Sequence, residues 1–538
     1  MPNWLPTFWW SRPERTVLFA CATVWHAGSR NRRTNAPALW VLALALSLFL
    51  ASCSPSPRDP NRLLFLIESN PANLDPRFSS DAQSQRIDRL LFDGLVERDA
   101  QMNLRPDLAE SWETPDSFTY IFHLRKDVHF HDGRPVTAKD VQSTFAFMMN
   151  PVNKSPKGGA FKMIRSIETP DDHTVVFHLN EPAASFLWNL ERSAVGIVPA
   201  GAGPDFFRKL IGSGPFRFVS QSQDDSVVLE KNPDYFRGAP KLDGVTFRIV
   251  PDAIVRALEL RKGSADVEVS SLSPDIIPVL AERPELSITD RPGTNFAYLG
   301  INLEDPILAH REVRQALAYA TDRESLVKYL LRGEARPATG LLPPNHWAYE
   351  PSVQTYAYDP AAAQKLLEAA GFPLGASGTR FHLTLKVSTD EQARLIGAAL
   401  QAQWKKVGVE LEVRSLELAT LFSDLNKGNF QLSYARWVGA NNDPDFFALV
   451  FSSKRIPPNG ANRGRYRSSR MDELTDAIRV EMDPVKRKQL TCEAQKLAAS
   501  DLPYIPLWYN DIISVHQRRL GNLQLSPTGD YEFLSTPN

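Results

Sequence analysis

The residues best suited to chemistry in this chain do not form a catalytic or metal-binding motif. His129-Phe130-His131-Asp132 places two imidazoles on one face of a strand, but two histidines and one acid are too few ligands for a metal without convergent help. Gly212-Ser213-Gly214 lacks the Gly-x-Ser-x-Gly spacing of a nucleophile elbow. The chain also contains no His-Glu-x-x-His pair and no P-loop. The sequence therefore favours a strand end and turn at His129, and it predicts a protein without catalytic centre, cofactor or metal.

The composition is typical of a globular protein with a large core. The chain has 538 residues, of which 43% are hydrophobic and 23% are charged. At about 150 residues per domain, this length predicts about three domains. The formal net charge is -1, and no basic block follows residue 33, which argues against a nucleic-acid partner.

The N-terminal region has the order of features found in an export signal. A positive segment at Arg30, Arg32 and Arg33 precedes a predominantly apolar run, Ala38 to Leu50. This run is too short to span a bilayer comfortably, which takes about 20 residues, but it fits the hydrophobic region of a signal peptide. Leu50-Ala51-Ser52-Cys53 follows directly and resembles the lipobox of bacterial lipoproteins, in which the cysteine is diacylated and becomes the first mature residue.

We therefore expect residues 1–52 to be a signal peptide region whose first part, Met1 to Ser29, is a spurious extension from a misplaced start codon. Residues 53–60 are expected to form a lipidated, proline-containing tether. The alternative is an uncleaved N-terminal anchor with an incidental cysteine, and it also places most of the protein outside the cytoplasmic membrane. Since Cys21 and Cys53 fall in this region, Cys492 has no partner, and the mature fold is predicted to lack an internal disulfide.

Strand and helix patterns interleave along the rest of the chain. Arg62–Glu68 is an apolar run typical of a strand, whereas Ser84–Leu95 carries apolar residues at helical spacing. Thr137 with Asp140 three residues later predicts the N-terminal cap of a helix over Ala138–Met149. Further elements are predicted at Val245–Val250, Ala253–Lys262, Val313–Ala320, Phe381–Val387, Glu391–Val407 and Glu410–Arg414. This alternation predicts an α/β or mixed α+β class.

Six segments, read in order between residues 62 and 510, resemble one protein family. They are Asn73-Leu74-Asp75-Pro76, Leu104 to Trp112, the run from Tyr120 to Val141, Gly212-Ser213-Gly214-Pro215-Phe216, Val313 to Arg323, and Asp501 to Leu507. The two glycines and the proline of the fourth segment suit a chain crossover. Their shared order, more than any single motif, makes the chain similar to the extracellular solute-binding proteins of family 5, which serve dipeptide, oligopeptide and nickel ABC importers.

This resemblance implies a two-lobed fold of the periplasmic-binding-protein type II kind, with an extra domain and two crossover strands between the lobes. Lobe I would comprise residues 61–93, 213–290 and 511–538, the extra domain residues 94–212, and lobe II residues 291–510. The resemblance also implies a monomeric, extracytoplasmic protein, held at a membrane by its lipid, that is not an enzyme. Such a protein would capture a peptide or peptide-like solute in the interlobe cleft and deliver it to the permease subunits of an ABC importer.

The resemblance further implies a ligand-binding loop. In peptide-binding relatives a tryptophan-led loop lines the cleft, and an acid three residues after the tryptophan pairs with the α-ammonium of the peptide. The matching loop in this chain is led by Trp437, but the position of the acid is Ala440. We therefore expect either that Asp443 takes over this role or that the ligand lacks a free amine. The candidate ligand-binding residues of this loop are Arg436, Trp437, Asn441 and Asp443.

Candidate residues outside this loop are Ser79 and Ser80, in a segment that offers hydroxyls and backbone amides to peptides in relatives, and Asn295, near the predicted hinge. Structural roles remain open for several candidates: a solvated loop for the serines, a turn and helix cap for Asp443, and a core position for Trp437. Three other functions also remain open. The same fold could bind a metal chelate or a short oligosaccharide, or the chain could be a secreted lipoprotein hydrolase or a chaperone-like envelope protein.

Overall fold

The structure, a computed structural model, describes residues 59–99, 102–191, 195–439 and 443–536. The predicted signal peptide, Cys53 and most of the predicted tether lie outside these residues, as do Ala440 and Asn441. The described strands form a sheet of eleven strands, a sheet of four and a two-stranded ribbon. Strands and helices interleave along the chain, so the mixed α/β class predicted from the sequence is confirmed.

The strands of the large sheet lie side by side in an order that differs from their order along the chain. From one edge to the other they are β15 (Val409–Leu416), β14 (Phe381–Ser388), β16 (Leu432–Trp437), β12 (Leu286–Ile301), β17 (Tyr504–Gln517), β11 (Val267–Val269), β1 (Arg62–Ile67), β10 (Gly244–Ile249), β9 (Ser226–Lys231) and β8 (Phe216–Ser222), with β13 (Ala335–Pro337) paired to β17. The small sheet has the order β4 (Ala109–Asp116), β5 (Thr119–Leu124), β7 (Thr174–Leu179) and β6 (Ile164–Asp171). The ribbon pairs β2 (Val96–Arg98) with β3 (Leu104–Pro106).

The α-helices are numbered in chain order. They are α1 (Ala82–Leu91), α2 (Ala138–Met149), α3 (Phe186–Asn189), α4 (Ala253–Lys262), α5 (Ile277–Ala281), α6 (Arg311–Tyr319), α7 (Arg323–Leu330), α8 (Pro360–Ala369), α9 (Glu391–Lys405), α10 (Leu418–Lys427), α11 (Phe446–Phe451), α12 (Ser469–Val480) and α13 (Pro484–Asp501). The predicted helices at 138–149 and 253–262 have the bounds that the sequence indicated. The predicted cap of α2 is confirmed, since the Thr137 backbone N–H donates to the Asp140 carboxylate at 2.7 Å.

The long strands β12 and β17 connect the two ends of the large sheet. They pair antiparallel along both lengths, but the register shifts between Arg291 and Asn295. Between these residues, Gly293 lies so close to Asn510 that an added Cβ would come within 2.2 Å of its carbonyl oxygen. Since an irregular, tightly packed point is where the pairing of two strands can bend, we propose that the lobe boundaries near residues 290 and 510 lie at this point.

Separate apolar cores lie on either side of this irregularity. One set of buried side chains, which includes Phe65 and Phe247, packs around β1, β9, β10 and β11. Another, which includes Trp404 and Trp508, packs around β14, β15 and the second half of β12. A third core, built on Phe122 and neighbouring aromatic residues, lies between the small sheet and α2. We propose that these cores belong to lobe I, lobe II and the extra domain.

Helix α1 ends at Leu91, although the apolar spacing predicted a helix up to Leu95. Phe92 has an extended backbone, and the chain leaves the helix there. Leu95 is buried in the core of the small sheet instead of in the core that α1 covers. Because apolar spacing does not distinguish which core a residue enters, the sequence pattern could not locate this exit.

The segment Gly212-Ser213-Gly214 brings the chain from the small sheet back to the large sheet. The Gly214 N–H donates to the Leu91 carbonyl at 3.0 Å, and the Ser213 hydroxyl donates to Asp93 at 2.8 Å. His131 bonds this segment through both ring nitrogens, to Gly212 N at 3.2 Å and Gly214 O at 3.0 Å. Burial lowers the pKa of His131 to about 4, so the neutral ring is the form that accepts one bond and donates the other. His131 therefore has a structural role.

Candidate functional site

A cavity of about 760 Å³ lies where three distant segments of the chain meet. One wall comes from α1 through Gln85 and another from residues 159–191, which include α3. The third wall comes from Gly439 and residues 443–479, which include α11. We call this space the α3–α11 cavity. A cavity of about 820 Å³ also lies beside β14 and β15, but all its lining residues come from 382–431. The α3–α11 cavity is the better candidate site because separate parts of the fold form its walls.

Direct contacts join two walls of the α3–α11 cavity. The Arg479 guanidinium forms an ion pair with Glu181 at 2.6 Å, and the Arg479 carbonyl accepts the Ala184 N–H at 2.9 Å. The Ser185 hydroxyl lies 3.5 Å from the Asp445 carboxylate, which is a long hydrogen bond. These contacts hold the small-sheet side of the cavity against α11 and α12.

Trp437 is the last residue of β16 and is half-buried in a group of aromatic rings. Its indole stacks on Tyr298 with ring centroids 6.2 Å apart and meets the Phe446 ring edge-on at 5.1 Å. The Arg463 guanidinium lies 5.5 Å from the Trp437 ring centroid. The ring is therefore held by packing, while the chain continues within two residues to Gly439 in the cavity wall. These contacts support the core role that the sequence left open for Trp437.

Asp443 is buried in the cavity wall and already has a cationic partner. Its carboxylate oxygens accept from the two terminal nitrogens of Arg487 at 2.8 Å and 2.6 Å. It also accepts the backbone N–H of Asp445 at 2.8 Å, which forms a turn before α11. Such a bidentate pair compensates the charge of the acid. The turn role proposed as an alternative for Asp443 is present, and a ligand ammonium would have to compete with Arg487.

Asp445 lies at the start of α11 and faces the same cavity. Its side chain does not cap the helix, and its Oδ1 atom is buried without a hydrogen-bond partner among the described residues. Burial, followed by the neighbouring charge of Asp443, raises the pKa of the Asp445 carboxyl. Asp445 was not among the ligand-binding residues predicted from the sequence. Its turn motif was visible, but nothing local indicated that Asp443 and Asp445 would have different partners.

Asn295 and Arg436 line a smaller cavity of about 110 Å³ beside the irregular point of β12 and β17. The Asn295 carboxamide oxygen accepts the Gly439 N–H at 3.3 Å, so this residue ties the strand to the loop after Trp437. Arg436 is exposed. Two of the predicted site residues are thus brought together near the proposed hinge, whereas Asn441 lies outside the described residues.

Ser79 and Ser80 differ in their surroundings. Ser79 is buried, and its hydroxyl accepts from the Lys157 ammonium at 3.2 Å. Burial raises the pKa of the adjacent Asp88 to about 8 and lowers the pKa of Lys157 to about 8. Ser80 is exposed. In this part of the chain it is Gln85, on the following helix, that lines the α3–α11 cavity.

The cavity wall from the small-sheet side was not anticipated from the sequence. Lys162, Glu181, Ser185 and Trp188 all line the α3–α11 cavity. These residues belong to no recognisable motif, and their partners lie far away in the sequence, as the pairing of Glu181 with Arg479 illustrates. Local sequence patterns could not identify these residues. Identifying them requires information about which distant positions of the sequence lie together in the fold.

Most of this chain is similar in sequence to bacterial solute-binding proteins. Residues 103–458 match the family model described as "Bacterial extracellular solute-binding proteins, family 5 Middle". The probable di/tripeptide-binding protein 5 of Pseudomonas aeruginosa (strain UCBPP-PA14) is 30% identical over 521 residues, covering 91% of this chain and 98% of that protein.

Solved structures with the same fold have bound different ligands. The oligopeptide-binding protein AppA of Bacillus subtilis, in complex with a nonapeptide, has a TM-score of 0.74 and 27% identity, with 88% of this chain and 98% of that one covered. NikZ of Campylobacter jejuni, in complex with Ni(L-His), has a TM-score of 0.76 and 26% identity, with the same two coverages. Every helix in the described part of the chain is too short or too polar to qualify as a membrane span. The family match and the alignment over nearly the whole chain establish that this protein belongs to family 5 of the bacterial extracellular solute-binding proteins.

Proposed function

We propose that the protein is the substrate-binding component of an ABC importer and that it captures a peptide or peptide-like solute in the α3–α11 cavity. The observation that carries this proposal is the position of the cavity, whose walls come from three distant parts of the chain and are joined by direct contacts. The peptide-binding names of the relatives support the choice of ligand class. Delivery to permease subunits follows from the role of such proteins in importers.

The proposed mechanism is closure around the ligand. Strands β12 and β17 would bend at the irregular point near Gly293, while the cores on either side stay rigid. Contacts across the cavity, such as Glu181 with Arg479, would exist only in the closed form. A ligand that touches both walls then binds the closed form better and shifts the population toward it.

The cross-cavity ion pair gives a prediction about affinity. Arg479→Met removes the partner of Glu181, and we expect peptide affinity to fall about two- to fivefold, because a partly exposed ion pair of this kind contributes about 0.4–1 kcal/mol to the closed form. Calorimetry measures the affinity, and small-angle scattering measures the fraction of closed protein. Arg470→Met is the control, since Arg470 lies on the same helix but pairs with the exposed Glu473 and Glu493. Equal losses in both variants would contradict a specific role for Arg479.

We also propose that Cys53 is lipidated and holds the mature protein at a membrane outside the cytoplasm. Cys53→Ser is expected to abolish lipidation completely, because serine offers no thiol for thioether formation. Mass spectrometry of the protein purified from whole-cell extracts would test this, with Cys492→Ser as a control that keeps its lipid. Acyl chains on the Cys53→Ser protein would contradict the assignment.

Peptide capture itself can be tested by calorimetry with Met-Leu, Ala-Ala-Ala and Ser-Thr-Ser-Ala, followed by mass spectrometry of the peptides. Stoichiometric binding with intact peptides would support the proposal, and cleavage of the peptides would favour the hydrolase alternative. The Ni(L-His) complex belongs in the same series, because the similarity to NikZ favours a metal chelate as the second ligand class. Binding of the chelate without binding of any peptide would overturn the peptide assignment.

A further inference from the structure

The carboxylate of Asp445, in the wall of the α3–α11 cavity, has few hydrogen-bond partners among the described residues. Its Oδ1 atom is buried and has no hydrogen-bond partner among the described residues. Its Oδ2 atom has the Ser185 hydroxyl at 3.5 Å, the outer limit of a hydrogen bond. The side chain does not cap α11, although the residue stands at the first position before that helix.

The other acids of the cavity wall have strong cationic partners. Asp443 forms its bidentate pair with Arg487, and Glu181 pairs with Arg479. Glu191 is bound by the guanidinium groups of Arg89 and Arg98. Arg487, Arg479, Arg89 and Arg98 are therefore each paired with an acid other than Asp445.

The surroundings of Asp445 penalise its charged form. Burial and the nearby Asp443 raise the pKa of Asp445, and this effect exceeds the opposing influence of Arg487, Arg479 and Arg455. A buried carboxylate is stable as an anion only when a cation or several hydrogen-bond donors compensate it. Among the described residues no cation forms an ion pair with Asp445, and its one hydrogen bond is long, so a cation in the cavity would supply the missing partner.

We propose that Asp445, and not Asp443, is the acid that pairs with an ammonium group of the bound solute. This inference rests on the proposed capture of a peptide-like ligand in the same cavity, and it narrows the ligand class to amine-bearing solutes. Lys162 and Arg455 also line the cavity and are suited to a carboxylate. A free peptide, with an ammonium at one end and a carboxylate at the other, complements this set of charges.

The test compares Asp445→Asn with the wild-type protein by calorimetry. The probe is whichever of Met-Leu, Ala-Ala-Ala and Ser-Thr-Ser-Ala binds the wild type most tightly, together with its N-acetylated form. Asp445→Asn should weaken binding of the free peptide at least tenfold, and N-acetylation should weaken binding to the wild type by a similar factor. Combining the two changes should cause little further loss, because both remove the same pair. Asp205→Asn removes an exposed acid and should leave affinity unchanged.

Melting curves check that Asp445→Asn is folded, and Asp445→Ser serves as a second variant if it is not. An N-acetylated Lys-Leu peptide keeps its side-chain ammonium but has no α-ammonium. Binding of this peptide to the wild type would indicate that Asp445 pairs with a side-chain ammonium, and loss of binding would indicate the α-ammonium. Free-peptide affinity within twofold of wild type in a folded Asp445 variant would overturn the inference and leave peptide capture intact. Failure of the wild type to bind any peptide would overturn the proposed function, and the inference with it.

Discussion

Replacing Arg487 with methionine is expected to lower the free energy of unfolding by about 3–5 kcal/mol. The variant leaves the Asp443 carboxylate buried without its bidentate partner and close to Asp445. It also removes the hydrogen bond from the Arg487 Nε to the Ile478 carbonyl, which links α13 to α12. Urea unfolding followed by circular dichroism measures the loss.

A double variant separates the destabilisation caused by the unpaired Asp443 charge from the other effects of Arg487→Met on stability. Asp443→Asn combined with Arg487→Met removes both charges, and we expect it to recover most of the lost stability, because breaking a buried pair costs more than replacing it. Arg470→Met on α12 is the matched control; its ion pairs are exposed, so the change should stay within about 1 kcal/mol. A single variant as stable as the wild type would show that Asp443 does not depend on Arg487.

Gly212→Ala is the second substitution with a large expected effect. A Cβ at this position would lie 1.8 Å from the Leu91 carbonyl oxygen and 2.8 Å from the Phe92 ring. Because the nearest atom belongs to the backbone, relief requires movement of the whole segment that joins the two sheets. Overpacking of this kind costs about 1–3 kcal/mol in ordinary cores, and a clash with backbone puts this case at or above the upper value.

The same unfolding experiment tests this prediction, with the yield of folded protein as a second measure. Gly340→Ala is the matched control, since nothing lies within 4 Å of the Cβ that it introduces. We expect the control to change stability by less than about 1 kcal/mol. If Gly212→Ala were as stable as Gly340→Ala, the close approach of this segment to Leu91 would be refuted.

Local interactions explain which parts of the fold could be predicted. The helix at Ala138–Met149 was placed correctly because its cap, Thr137 with Asp140, lies within one turn of the helix start. The strand near residue 62 was also found from its apolar run. The end of α1 was missed because Leu95 enters a different core, and membership of a core is decided by residues far away in the sequence.

The candidate site was predicted less completely than the fold. Its location near the loop led by Trp437 followed from a family resemblance, and Asp443 does line the α3–α11 cavity. The different partners of Asp443 and Asp445 could not be predicted, since Arg487 comes from a helix that packs beside the loop only in the folded chain. The opposite wall, with Glu181 and Ser185, likewise has no sequence signature.

By itself, the sequence determined the class of fold, the family and the elements whose signals lie within a few residues of one another. Hydrogen bonds at a helix start and the alternation of apolar residues involve residues that are close together in the sequence, so both can be recognised from the sequence. The tertiary structure alone decided which acid of the loop is paired with an arginine, which has only a long hydrogen bond, and which distant segment lies on the opposite side of the cavity. Ion pairing and burial depend on separation in space, and chain packing sets that separation independently of spacing in the sequence.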